Sequence, residues 1–154
     1  MVTVGEEQDK RRTGKLTLFY GATGFTGRLV GEYLARTYPA STGVRWAMAG
    51  RNADKLAQVR DEIGAPADTP LLVADASDRG SLEALASQSK VILTTVGPYQ
   101  LYGNELLSIC AESGTDYVDL CGEPAWMSQK IEELGETAKA SGSRIVFSCG
   151  FDSI

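Results

Sequence analysis

The chain predicts an α/β fold: a doubly wound parallel sheet of six strands in the order 3-2-1-4-5-6. Three observations carry this. Six short apolar, β-rich runs recur every 20 to 28 residues. The stretches between them carry helical rather than alternating periodicity. A glycine-punctuated turn follows the first run directly. A spacing of under 30 residues suits strand, turn, crossover helix and next parallel strand, since parallel neighbours need a crossover of a dozen residues or more.

The runs begin at Leu16 (LTLFY), Val44 (VRWAMA), Leu71 (LLVA), Val91 (VILTTV), Tyr117 (YVDL) and Arg144 (RIVFSC). After the first, Phe25, Leu29, Val30, Tyr33 and Leu34 fall on one face of a predicted helix. Leu56, Val59 and Ile63 do so in the second crossover, and Leu82 with Leu85 marks a shorter helix in the tightest one. Leu106, Ile109, Cys110 and Ser113 continue the pattern, as do Met127, Ile131, Leu134 and Ala138. Asp54 or Asn52 is placed to cap the second helix and Ser81 the third, while Gly114 and Gly142 stop the fourth and fifth. Strictly alternating elements, with strands expected to be buried on both faces and right-handed crossovers, give the Rossmann-like arrangement.

Composition narrows the function. The 154 residues suffice for one core, and 15 Lys plus Arg against 20 Asp plus Glu leave a net charge of −5, which disfavours nucleic acid as a partner. There is no histidine, and Cys110, Cys121 and Cys149 lack metal-ligand spacing, so no metal site is expected. Without a long apolar run or a signal-type core, a cytoplasmic location is expected. Residues 1–14 carry mixed charge and are expected to be a flexible leader, with the domain over 15–154.

The chemistry concentrates at the carboxyl ends of the strands. Gly21, Ala22, Thr23, Gly24, Phe25, Thr26 and Gly27 form a GxxGxxG turn from strand to helix. Gly21 permits the sharp turn, Gly24 a close approach of a pyrophosphate, and Gly27 close packing of the helix, whose free N–H groups favour phosphate charge. A tight turn without ligand is the plain alternative. At the end of the second strand, where an acid would read the ribose hydroxyl of NAD, stand Arg51 and Asn52. A guanidinium there suits the 2′-phosphate of NADP.

Asp75 and Ala76 end the third strand, where Asp75 is placed either to accept from the adenine amino group or to make a turn. Gly97 and Pro98 follow the fourth strand at the topological switch point, with Tyr99 and Tyr102 each placed to face the ligand or to cover the sheet edge, and packing the favoured role for Tyr102. Glu123 after the fifth strand is open between an active group and a helix-start residue, as is Asp152 after the sixth between substrate and cap. No tyrosine has lysine four residues on, which rejects a Tyr-x-x-x-Lys mechanism. Cys149 lacks an evident base and is expected to be buried and structural.

GATGFTGRLV, AGRN, TTVGPYQLYG, GTDYVDLCGEP and RIVFSCGFDSI together resemble the saccharopine dehydrogenase-like oxidoreductases, with the actinobacterial trans-acting enoyl reductases as the nearest branch. The resemblance spans residues 16 to 154. It implies an NADP-binding domain whose polypeptide continues through a substrate domain, and reduction of a polyketide-derived carbon–carbon double bond in lipid synthesis. By motif, Gly21, Thr23, Gly24, Phe25 and Gly27 would hold the pyrophosphate, Arg51 and Asn52 the 2′-phosphate, Asp75 the adenine, and Gly97 and Pro98 would lie near the nicotinamide. Family members often carry His where this chain has Phe147. The implied partner is a small-molecule or lipid substrate, with a homo-oligomer left open. A dinucleotide-sensing module without chemistry of its own remains the other reading.

Overall fold

The computed structural model describes residues 14–150. The leader expected over residues 1–14, apart from Gly14, and Asp152 lie outside the described residues. All six strands appear: β1 (Leu16–Tyr20), β2 (Trp46–Gly50), β3 (Leu71–Val73), β4 (Ser89–Thr94), β5 (Asp116–Asp119) and β6 (Ile145–Val146). They form one parallel sheet in the order β3-β2-β1-β4-β5-β6. The helices are α1 (Phe25–Thr37), α2 (Ala53–Glu62), α3 (Arg79–Gln88), α4 (Tyr99–Tyr102), α5 (Asn104–Ser113) and α6 (Pro124–Ser141).

Caps follow local chemistry. The Asn52 side chain accepts from the Lys55 amide and starts α2, and the chain leaves α5 and α6 through Gly114 and Gly142 at positive φ. Asp78, not Ser81, caps α3, accepting from Gly80 N at 3.1 Å. Ser81 lies inside the first turn, where its hydroxyl donates to the Asp78 carbonyl at 2.8 Å and accepts from Asp75 N at 3.1 Å, tying the β3–α3 loop together. Arg79 joins α3 to α5 through Glu105 and Glu112, at 3.0 and 2.8 Å, besides its own-helix partner Glu83.

The two sides of the sheet are covered unequally. One row, Leu18, Ile92 and Tyr117, is wholly buried under α3, α5 and α6, with Ile145 packed at its end. On the opposite side the aligned row is Leu71, Met48, Phe19, Leu93, Val118 and Val146. Here α1 and α2 cover the β1–β3 half, so Met48 and Phe19 are 0% and 1% exposed, whereas Val146 at the other end is 50% exposed. The expectation that every strand is buried on both faces fails over β4–β6, because both crossovers on this side belong to β1–β3, and also at the β3 edge, where Leu71 and Leu72 are half-buried and Val73 is exposed.

The predicted face of α1 also splits. Val30 and Leu34 pack on the sheet, but Phe25, Leu29 and Tyr33 are 82%, 51% and 51% exposed. Gly27 and Gly31 are the buried residues of this helix, and a Cβ on Gly31 would stand 2.7 Å from Ile63 Cδ1 and 3.2 Å from Phe19 Cζ. Contact closer than ordinary side-chain packing therefore turns the bulky i, i+4 residues outward.

Candidate functional site

A cleft of about 450 Å³ opens at the carboxyl ends of β1, β2, β3 and β4. It sits at the switch point, where β2 and β4 lie on opposite sides of β1. Its middle is the glycine turn. Gly21 adopts φ +96°, and a Cβ there would meet Thr95 Oγ1 at 2.6 Å, so the turn lies directly against the end of β4. The amides of Gly21 and Ala22 donate back to the Ala49 carbonyl, at 3.0 and 3.1 Å, which fixes the turn to β2.

Gly24 is the N-cap of α1 and offers no side-chain cap, while α2 and α3 have theirs in Asn52 and Asp78. The first turn of α1 also holds no acidic residue. A helix start with neither a side-chain acceptor nor a carboxylate suits an anion, through its outward N–H groups and its dipole. A Cβ at Gly24 would meet only the Gly21 carbonyl oxygen, at 3.4 Å, so the wall is bare towards the cleft.

Of the residues singled out in the sequence, Gly21, Thr23, Gly24, Arg51, Asp75, Ala76 and Gly97 line one cleft. Ala22 and Gly27 are buried behind it as supports, and Thr26 and Pro98 are exposed outside its lining. Phe25 lies at the start of α1, largely in solvent. Asn52 does not line the cleft either; its side-chain oxygen is held by the α2 cap.

Asp75 serves the turn reading, its Oδ1 accepting both the Ser77 amide at 2.8 Å and the Ser77 hydroxyl at 2.6 Å. These bonds, with Arg51 as a smaller contribution, hold its carboxyl below the usual range. It is therefore an anion at neutral pH.

Tyr20, Gly50, Ser77, Thr95, Val96 and Tyr102 complete the lining. Most of them are neighbours of residues already marked, but Tyr20 was hidden as an ordinary strand residue. Burial first, then the charge of Asp75, pushes its phenol up to about 12, against a smaller opposing effect of Arg51. Tyr20 is thus a neutral donor, directed at the Ala74 carbonyl at 3.4 Å.

Of the two readings open for Tyr99 the structure takes the covering one, and the expectations for Tyr102 and Cys149 are corrected. Tyr99 is the packing residue, 4% exposed, with its hydroxyl on the Thr94 carbonyl at 3.0 Å and its ring 5.9 Å from that of Trp126. Tyr102 is the one that reaches the cleft. Cys149 is exposed rather than buried, because β6 ends at Val146 and the chain leaves the sheet before it. Phe147 packs edge-on against Trp126 and Tyr117 at 5.6 and 6.2 Å, away from the cleft lining.

Among the described residues there is no grouping of acids and cysteines able to hold a metal, and no helix is long and apolar enough to cross a membrane. The donor set fits a dinucleotide: a bare helix start for the pyrophosphate lies between a guanidinium on one side and a small-residue wall at Gly97 on the other.

Comparison with known proteins agrees. The trans-acting enoyl reductase of Mycobacterium ulcerans is 49% identical over 138 residues, covering 89% of this chain and 32% of that protein. That of Mycobacterium leprae is 47% identical over the same extent. The chain thus spans about a third of the length of these relatives. Among solved structures, saccharopine dehydrogenase (L-Glu forming) from Saccharomyces cerevisiae superposes with a TM-score of 0.70 at 18% identity, over 90% of this chain and 28% of that one. The Citrobacter triphenylmethane reductase complexed with NADP(H) gives 0.62 at 17% identity, over 85% and 48%. These two likenesses speak to the fold. The model of the saccharopine dehydrogenase NADP binding domain matches residues 17–146, nearly the whole described sheet, and the chain belongs to that family of NADP-binding domains.

Proposed function

We propose that this domain serves a cytoplasmic NADPH-dependent reductase, acting on the carbon–carbon double bond of a polyketide- or lipid-type substrate held by a further domain. The names of the mycobacterial relatives support the reaction class, and their threefold greater length supports a separate substrate domain. The observation that carries the reading is the alignment of Arg51, the uncapped start of α1 and Gly97 along one cleft.

In this reading the pyrophosphate rests on the first-turn amides of Phe25, Thr26 and Gly27, with Thr23 and Gly24 forming the wall and Gly21 and Ala22 supporting it. Arg51 meets the 2′-phosphate, and the Asn52 side-chain nitrogen is the donor left after its oxygen caps α2. Asp75, with Ala76 beside it, borders the adenine, where the carboxylate accepts from the amino group. Gly97 admits the nicotinamide ring, and Pro98 shapes the turn beneath it. When bound, the nicotinamide supplies hydride. The protein's share is to orient that ring towards substrate and to keep charge off the wall facing it.

Arg51→Ala is expected to weaken NADPH binding about 10- to 100-fold, the worth of a charge-assisted contact, while NADH binding stays within about twofold. Calorimetric titration of both nucleotides checks this; equal loss for both, or none, rejects the assignment. Asn52→Ala separates cap from ligand: it is expected to cost about 1 kcal/mol of stability through the lost α2 cap, a cost that Arg51→Ala does not carry. Turnover decides against the sensing-module reading. The longer protein oxidises NADPH in the presence of an enoyl substrate if it is a reductase, and leaves it untouched if it only senses the nucleotide.

A further inference from the structure

Beyond β4 the chain makes a cis Gly97–Pro98 bond and then the single turn of α4. The first two amides of that turn are both taken by one carboxylate from a distant part of the chain. Glu123 Oε1 accepts from Tyr99 N at 2.6 Å, and Glu123 Oε2 from Gln100 N at 2.9 Å. Both oxygens are thereby committed to the same four-residue element, a two-point grip that fixes its orientation as well as its position.

The rest of the turn is braced from the same side. The Tyr99 hydroxyl donates to the Thr94 carbonyl and accepts from Leu120 N at 3.4 Å, linking the turn to the ends of both β4 and β5. Gly103, just after it, lies so close to Trp126 that a Cβ would stand 3.0 Å from the indole ring. A single turn cannot hold itself together, since nucleating a helix fixes three residues for one hydrogen bond. This one depends on Glu123, Tyr99 and Trp126.

What the braced turn presents is Tyr102, half exposed and lining the same cleft as Val96 and Gly97, on the segment that follows β4, whereas Arg51 follows β2 on the other side of β1. Glu123 itself does not line the cleft. We infer that Tyr102 forms the side wall for the nicotinamide–ribose half of the dinucleotide, and that Glu123 is its positioning residue, acting through the α4 turn. The inference rests on the dinucleotide reading above and assigns a further wall to that site.

The test is titration of the full 154-residue chain with NADPH and with adenosine 2′,5′-bisphosphate, which keeps the Arg51 end and lacks the nicotinamide half. Tyr102→Ala is expected to weaken NADPH about three- to tenfold, the range of an aromatic face contact, and to leave the bisphosphate within twofold. Tyr102→Phe, which keeps the ring, is expected to bind both as wild type does. Glu123→Ala should give the same NADPH-selective loss, and Glu123→Gln, which keeps one acceptor for the turn, should recover part of it. A merely structural role for Glu123 would lower both ligands together. Equal losses for the two ligands, or none in either alanine variant, overturn the assignment of Tyr102 and Glu123 while leaving the cleft as a dinucleotide site. A wild-type chain that binds neither ligand overturns the dinucleotide reading and this inference with it.

Discussion

Gly27→Ala is expected to abolish detectable NADPH binding and to destabilise the fold by about 3 kcal/mol or more. The added Cβ would overlap the Gly21 carbonyl oxygen and stand 2.8 Å from the Gly21 carbonyl carbon and 2.9 Å from Ala22 Cα. Overpacking typically costs about 1–3 kcal/mol when side chains can turn aside. Here every obstructing atom is backbone. Either α1 lifts from the turn or its first turn melts, and both outcomes scatter the amides on which an anion would rest.

Urea denaturation and nucleotide titration read the two effects separately. Gly24→Ala is the comparison: its Cβ meets only Gly21 O at 3.4 Å, and its φ of −78° suits any residue. That variant is expected to keep its denaturation midpoint and still lose affinity, because the methyl group fills the bare wall. A Gly27→Ala chain with a wild-type midpoint would show that the turn is looser than its geometry requires.

The second large effect is expected at Asp119, which ends β5 and is 1% exposed. Its Oδ1 accepts from Cys121 N at 3.0 Å and Ser148 N at 2.8 Å, and its Oδ2 from the Tyr117 hydroxyl at 2.9 Å. Its carbonyl takes Cys149 N at 2.6 Å. One buried residue thus ties together the chain leaving β5 and the chain leaving β6. Ser148 is held at φ +59°, unusual for a residue with a Cβ, and its hydroxyl donates to the Cys121 carbonyl at 2.6 Å.

Asp119→Ala strips partners from two amides and a phenol, at about 1–3 kcal/mol for each buried group. A loss of about 3–5 kcal/mol is expected, visible as a fall in both denaturation midpoint and Tm. Asp119→Asn is milder, since the amide keeps one acceptor and the Tyr117 hydroxyl can rotate to accept from its nitrogen. Burial, and then the charge of Asp119, raise the Tyr117 phenol far above its ordinary value, so it stays a donor in the native protein. Tyr117→Phe combined with Asp119→Ala is therefore expected to cost less than the two single changes added together. Full additivity would mean that the pair does not act as a unit.

The residues legible in the sequence are those whose role is local. A strand announces itself by composition, and the glycine turn by its place between β1 and α1, so Gly21, Gly24 and Arg51 were legible as residues that line the cleft. Tyr99 stayed open between two roles and packing was favoured for Tyr102, which instead reaches the cleft, because a helix of four residues is too short for periodicity to show which side faces inward. Glu123 left two readings open because its partners lie 23 and 24 residues away, a distance that only the folded sheet closes. On α1 the pattern of large apolar residues marked a stripe, yet the side that docks is set by Gly27 and Gly31, which hydrophobicity alone undervalues.

The uneven shielding of the sheet gives residues of one row different sequence constraints. Phe19 sits sealed at 1% exposure, and a polar replacement there would place an unpaired group in a dry interior. Val146 lies in the same row and is half exposed, so the same exchange would keep its contact with water. Within this domain, tolerance to polar substitution should therefore rise along the row from β1 to β6, following solvent access rather than strand type.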